Sequence, residues 1–267
     1  MNVWAVANQK GGVGKTTTAV TVAGFLAKMG YRTLMVDLDP HGSLTSYFGQ
    51  DPEAVEKGVY SLFEEAGPEQ DLSPLIQSTT VDNLDFMPAS LAMATLDRQL
   101  GLRGGMGLVI QRALTRLEDD YDYALLDCPP MLGVLMVNAL AACEKLIVPV
   151  QTEFLALKGL DRMINTMNMV RRSLKRDLDY VIVPTMYDRR TKAAPQALDM
   201  LKAQHSDTLW HSVIPVDTMF REASRAGEPL SSLKPYARGA KAYREFLNYL
   251  MRQQDEELAQ SATGTEQ

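Results

Sequence analysis

Asn8–Thr18 reads NQKGGVGKTTT, and the fold follows from what surrounds it. Before it, Val3–Ala7 is a short apolar run of the length of a buried strand. After it, Thr16–Met29 carries helical periodicity until Gly30 stops it. A strand that turns through glycines into a helix aims backbone N–H groups and the positive end of the helix at one point. Gly11, Gly12 and Gly14, with Val13 between them, allow that tight turn. In such a cradle Lys15 reaches the β- and γ-phosphates of a nucleotide, Thr16 places its hydroxyl on Mg²⁺, and Thr17 touches the α-phosphate.

Outward from the loop, apolar runs and helical stretches alternate. Thr33–Leu38, Leu84–Met87, Tyr123–Leu126, Leu146–Val150, Tyr180–Val183 and Leu209–Ile214 read as strands. Gly107–Leu117, Gly133–Ala142, Phe154–Leu174, Ala194–Gln204 and Ala240–Met251 read as helices. Strands that are apolar on both faces and separated by helices imply an α/β, doubly wound, mostly parallel sheet with helices on both faces. Residues 1–252 form one domain, with Gln50–Ser78 as an irregular insertion and Gly101–Gly107 as a loop. The acidic, polar tail 253–267 is expected to fray.

Two carboxylate clusters stand where the loop needs them. Val36–Pro40 reads VDLDP and Ala124–Pro130 reads ALLDCPP, placing Asp37, Asp39 and Asp127 at or just past strand ends. Open α/β sheets bind ligands at that edge. A lone aspartate there is more often a cap or turn residue; three, beside a phosphate cradle, point to a metal–nucleotide site. Asp127 resembles a Walker B aspartate, so Asp37 and Asp127 are expected to hold Mg²⁺ with Thr16, the two carboxylates through bound water.

The usual loop pattern G-x-x-x-x-G-K-[ST] is only partly met: its first glycine is Gln9, and a second lysine, Lys10, precedes the glycines. This K-G-G-x-G-K-[ST] form resembles the deviant Walker A motif of the ParA/MinD family of P-loop ATPases. DPHGSLTSYFG from Asp39, LLDCPPMLGVLMVNAL from Leu125, VPVQTEFLALKGL from Val148, PTMYDRRT from Pro184 and IPVDTMFREAS from Ile214 are similar to further family segments. The resemblance implies a P-loop NTPase fold with ATP and Mg²⁺ as cofactors. It also implies an ATP-dependent homodimer in which Lys10 reaches the partner's phosphates. Asp39 orients the attacking water in a slow hydrolysis that a protein adaptor or activator accelerates. Met186 and Pro215 would lie near the adenine.

Within the family, His41 and MLGVLMVNALAA are similar to the ParC-type ATPases that bring chemotaxis arrays to the cell pole. That gives one expected function, a cytoplasmic positioning switch concentrated at a pole, with a chemotaxis-array protein as partner. The alternative is a chromosome or plasmid partition ATPase on nonspecific DNA. Against it, the DNA-gripping arginine of chromosomal members, directly after Ile-Pro, is replaced by Val216. Arg171, Arg172, Lys175, Arg176, Arg189 and Arg190 leave either a basic patch or a solvated face. A third reading is a metabolic enzyme of the same superfamily, but Cys128 and Cys143 are not in the contexts an iron protein needs, and no Cys/His pair marks a second catalytic site.

Composition sets the outer bounds. The 267 residues are 46% hydrophobic and 22% charged, with net charge −6. That charge divides into −8 over residues 1–150, +6 over 151–252 and −4 over 253–267. An acidic total disfavours avid nucleic-acid binding by the whole surface. Two cysteines fit a reducing compartment, and no apolar run reaches the ~18 residues that span a bilayer. Tyr243, Phe246, Leu247, Leu250 and Met251 form a helical apolar stripe. The acidic residues after it would be repelled by anionic lipid, so core packing is expected and membrane binding is not.

Overall fold

The computed structural model describes residues 1–64, 71–96, 106–174 and 177–264. Its strands are β1 (Asn2–Val6), β2 (Thr33–Asp37), β3 (Gln77–Ser78), β4 (Leu84–Met87), β5 (Tyr123–Asp127), β6 (Lys145–Gln151) and β7 (Asp179–Thr185). They form a seven-stranded sheet in the order β3-β4-β2-β5-β1-β6-β7. All pairings are parallel except that of the two-residue edge strand β3 with β4.

Strand alternation explains why helices cover both faces. In β1, Val3 and Ala5 join one core with Leu34, Val36, Ala124, Leu126, Leu146 and Val148. Helices α4 (Val109–Thr115), α5 (Val134–Ala142) and α6 (Phe154–Leu174) lie on that side. Trp4 and Val6 join the other core with Met35, Leu125 and Ile147, under α1 (Lys15–Lys28) and the last helix. Between these lie short α2 (Ser43–Tyr47) and α3 (Ser61–Glu64), and later α7 (Ala193–His205), α8 (Met219–Ala226), α9 (Leu230–Leu233) and α10 (Arg238–Gly264).

Two expectations are corrected. Leu209–Ile214 is not a strand. It meets β7 at one isolated bridge, Ile182 with Leu209, and a second bridge, Tyr187 with Pro215, lies just past both segments. Ile182 N–H donates to Thr208 O and Trp210 N–H to Ile182 O, but the next donor on β7 would be Pro184, which has no N–H. The ladder breaks there and resumes at Ile214 N–H to Pro184 O. The boundary at 252 is not a break either, since α10 runs on to Gly264. Its first residues past 252 are fastened to the sheet: Gln254 bonds Asn2 and Tyr123, and Gln253 bonds Tyr249 and Lys145.

The apolar stripe of α10 is inside. Tyr243, Phe246, Leu247 and Leu250 are buried in the α1-side core. No helix among the described residues is long and apolar enough to cross a membrane. Loop residues 101–105, part of the insertion (65–70), and Lys175 and Arg176 lie outside the described residues.

Gly24 lets α1 pack close against the start of α9. A Cβ there would sit 2.3 Å from Ser231 Oγ and 2.7 Å from Pro229 Cβ. Alanine would gain about 1 kcal/mol of helix propensity over glycine, but overpacking of a fixed neighbour costs about 1–3 kcal/mol. The proline ring cannot step aside, so the clash should win. Gly24→Ala is therefore expected to lower the urea midpoint without changing the m-value; a raised midpoint would show that α9 yields.

Candidate functional site

The loop between β1 and α1 is pinned on three sides. Asn8 Nδ2 donates to Pro149 O at 2.8 Å, and Asn8 Oδ1 accepts from Lys10 N–H at 3.0 Å. Thr185 Oγ1 donates to Val13 O at 2.9 Å, which seats the buried Val13 under β7. Gly12 and Gly14 have φ of 74° and 92°, a region that favours glycine. Gly14 is also the N-cap of α1, and it provides no side-chain cap. The first amides of that 14-residue helix therefore meet the loop opening with no side chain of their own cap against them. Gly11 differs: its φ is ordinary and a Cβ there would meet nothing within 4 Å.

Sheet register brings the carboxylates together. Asp37 ends β2, Asp127 ends β5, and the two are direct partners across the parallel pair. Val6, at the foot of the loop, is opposite Asp127 on the other side. Asp37 is fully buried and accepts from Thr45 N–H (2.8 Å), Thr45 Oγ1 (2.7 Å) and Asp39 N–H (3.1 Å). Asp127 accepts from Thr16 Oγ1 at 2.6 Å through one oxygen; its other oxygen is buried with no hydrogen-bond partner. Burial, against the Thr45 and Asp39 hydrogen bonds, pushes the Asp37 carboxyl up to about 7. Burial and then the Asp37 charge push Asp127 well above the usual range, and Lys15 only partly offsets this.

This donor set suits a hard dication. Mg²⁺ at nucleotide sites takes one or two carboxylates, a hydroxyl, phosphates and several waters rather than a protein cage. Thr16, Asp37 and Asp127 match that pattern. Among the described residues no group of three His, Cys, Asp or Glu side chains forms a cage of another kind. Cys128, next to Asp127, is buried, and burial raises its thiol far from reactivity.

Asp39 lies beyond Asp37 and is nearly buried. Its Oδ1 accepts from His41 N–H at 3.0 Å and lies 2.9 Å from His41 Nδ1. Thr17 and Gly14 border a cavity of about 710 Å³ that Met186 and Pro215 also line, so the two residues expected near the base converge on the loop. Met186 has φ of 53°, strained for a residue with a Cβ, and its Cε approaches Gly14. Phe220, Arg221, Arg225 and Tyr243 complete this wall and were not legible as site residues. Tyr243 signals its role only through its hydroxyl, which is 2.7 Å from Thr18 Oγ1 on α1.

Lys10 turns back on its own chain, pairing with Glu153 and bonding Gln151 Oε1 at 3.3 Å. Glu153 lies between β6 and α6, and α6 comes close through Gly159, where a Cβ would be 3.4 Å from Lys10 Cβ. Val216 is 43% exposed, with Arg238 Nη2 on its carbonyl at 3.3 Å. Asp217 next to it serves as a cap, accepting from Met219 and Gly239 N–H. Of the basic cluster, Arg171 is paired with Asp177 and Arg190 with Asp188, while Arg189 is exposed.

An AAA domain family model (AAA_31) matches residues 1–180. The chain is 39% identical over 240 residues to the sporulation initiation inhibitor protein Soj of Bacillus subtilis, covering 90% of this chain and 94% of that protein. It is 34% identical over 265 residues to the chromosome partitioning protein ParA of Caulobacter vibrioides, covering 98% of each. Among solved structures, cobyrinic acid a,c-diamide synthase from Mycobacterium smegmatis, with bound ADP and magnesium, is similar at TM-score 0.82 and 34% identity, covering 95% of both chains. None of these carries the narrower likeness to chemotaxis-array ATPases.

The raised carboxyls have a consequence for stability. An unfolded aspartate titrates near about 3.9, so between there and about 7 the folded protein holds more protons than the unfolded chain. The stabilising contribution is fully present below the unfolded value and is lost as pH rises through the folded one. The nucleotide-free protein should therefore melt at a lower temperature at pH 8 than at pH 6, and Asp127→Asn should narrow that gap. Calorimetry at both pH values checks this; a gap unchanged in the variant would remove Asp127 from the effect.

Proposed function

The chain belongs to the AAA domain family (AAA_31), among its ParA- and Soj-type P-loop ATPases, and from that premise we propose that it is an ATP-switched partition ATPase that moves a chromosome or plasmid. The carrying observation is the buried polar corner of Thr16, Asp37 and Asp127 beside the glycine loop, in a chain alike over nearly its whole length to a chromosome partitioning protein. ATP and Mg²⁺ are its cofactors. Bound Mg²⁺ supplies charge neutralisation at the phosphates. The loop amides and Lys15 hold the phosphates, and Asp37 and Asp127 orient water around the ion. Met186 and Pro215 hold the base. Asp39 orients the attacking water, and positioning of this kind is most of what phosphoryl transfer asks of a protein.

ATP closes two copies face to face. Lys10 then leaves Glu153 and Gln151 for the partner's phosphates, as an arginine finger does. Exposed apolar side chains are available to a second copy: Met131 and Leu132 follow β5, and Phe154 and Leu155 begin α6. Hydrolysis is slow, a protein activator accelerates it, and reopening releases the cargo track.

A second reading, positioning of a polar chemotaxis array, is favoured by Val216, which puts an apolar side chain where DNA-gripping members carry arginine. Under the partition reading the cations come instead from Arg238, at the Val216 carbonyl, and from the exposed Arg189. A synthase reading is disfavoured by both cysteines being buried.

Three outcomes are expected. Lys10→Ala should bind ATP normally but lose most turnover and dimer; wild-type turnover would end the trans-lysine role. Gly11→Val should keep its fold, because a Cβ meets nothing within the chain, yet fail to dimerise in sedimentation with ATP and Mg²⁺; a normal dimer would remove Gly11 from the junction. Nonspecific duplex should be bound only with ATP, with affinity falling steeply with salt, and Arg238→Ala, which lies outside the cavity wall, should flatten that slope with ATP affinity unchanged. No ATP-dependent DNA binding, together with co-localisation with arrays in cells, would favour the second reading.

A further inference from the structure

The structure assigns a second residue to the water-orienting step. We propose that His41 is a positioning residue that fixes the plane of the Asp39 carboxylate; this rests on the reading of Asp39 above. The backbone already fixes where that carboxylate starts. Asp39 N–H donates to Asp37 Oδ1 at 3.1 Å, Gly42 N–H donates to Asp39 O at 2.8 Å, and Pro40 restricts the turn between. What the backbone leaves soft is the last torsion of the aspartate, whose energy wells are broad. A carboxylate that rotates offers the water a different acceptor each time.

His41 removes that freedom. Its N–H and its ring Nδ1 both address Asp39 Oδ1, at 3.0 and 2.9 Å. Oδ1 is thereby occupied by two groups, and Oδ2 is left as the acceptor for water. The ring holds this geometry with only two side-chain torsions, and either the Nδ1–H tautomer or the imidazolium can donate. Packing does not explain the contact, because the His41 side chain is 79% exposed and the Asp39 side chain only 12%. A largely solvated ring folded onto a nearly buried carboxylate adds little to the core, so its value lies at the carboxylate.

The test compares His41→Ala, His41→Phe, His41→Gln, Asp39→Ala and the His41→Ala/Asp39→Ala pair in the full chain. ATP affinity, dimer formation and turnover are measured for each. Backbone donation to Oδ1 survives in every His41 variant, so only the ring contact is lost. Loss of one exposed charge-assisted hydrogen bond is worth about a fivefold to tenfold fall in kcat. His41→Ala and His41→Phe should show it with ATP affinity and dimer unchanged, and His41→Gln, whose amide can donate to Oδ1, should recover most of it. Asp39→Ala should fall much further, and adding His41→Ala to it should change nothing more. Asp39→Ala with normal turnover would defeat the reading of Asp39 itself. With Asp39→Ala inactive, unchanged kcat in His41→Ala, equal loss in the alanine and glutamine variants, or full additivity in the pair would each overturn the role of His41 alone.

Discussion

Two buried carboxylates end adjacent parallel strands at the same register, and much of the site is arranged around them. Asp37 and Asp127 are drawn together by the β2–β5 pairing, in which they are direct register partners. A one-residue slip would send one of them to the opposite face of the sheet. Their mutual repulsion and burial disfavour the doubly charged pair, so the corner is poised to take positive charge. Lys15 provides one charge from the loop, and a dication on the phosphates provides more.

That corner is linked to the parts that would have to move. Asp37 holds the start of α2 through both polar atoms of Thr45, and Thr45 Oγ1 in turn accepts from Ala89 N–H beyond β4. Asp39 and His41 lie on the chain between Asp37 and α2, so a change at Asp37 reaches both within a few residues. Thr16 ties the other carboxylate to α1. Lys10 belongs to the same loop but is held outside this network, by Glu153 and Gln151 at the end of β6. Site and switch thus share a loop while drawing on different strands.

The glycine loop, the parallel strands and the three aspartates were legible because they depend on local rules: glycine at positive φ, apolar runs on both faces, carboxylates at strand ends. The 21 residues of α6 were legible end to end from their periodicity. Other features depend on partners far along the chain. Glu153, 143 residues from Lys10, carries no local mark of its pairing. The helical continuation past 252 rests on Gln254 meeting Asn2, 252 residues away. The loss of the expected strand at Leu209–Ile214 was readable in principle, since Pro184 on its neighbour lacks the needed donor, but only once β7 and that segment were known to be adjacent. The short α8, following the Asp217 cap, is only eight residues long, shorter than the window over which helical periodicity can be read.

The most direct test of the carboxylate corner is a proton count. ADP with Mg²⁺ is titrated into the protein near pH 7 in two buffers of different ionisation heat, for wild type and for Asp127→Asn. Placing a dication beside carboxyls whose affinity for protons has been raised should drive protons off them. The wild type is predicted to release more protons on binding than the variant, the difference isolating the pair from the nucleotide's own titration. Equal release from both proteins would mean that Asp127 does not face the ion, and would contradict the account.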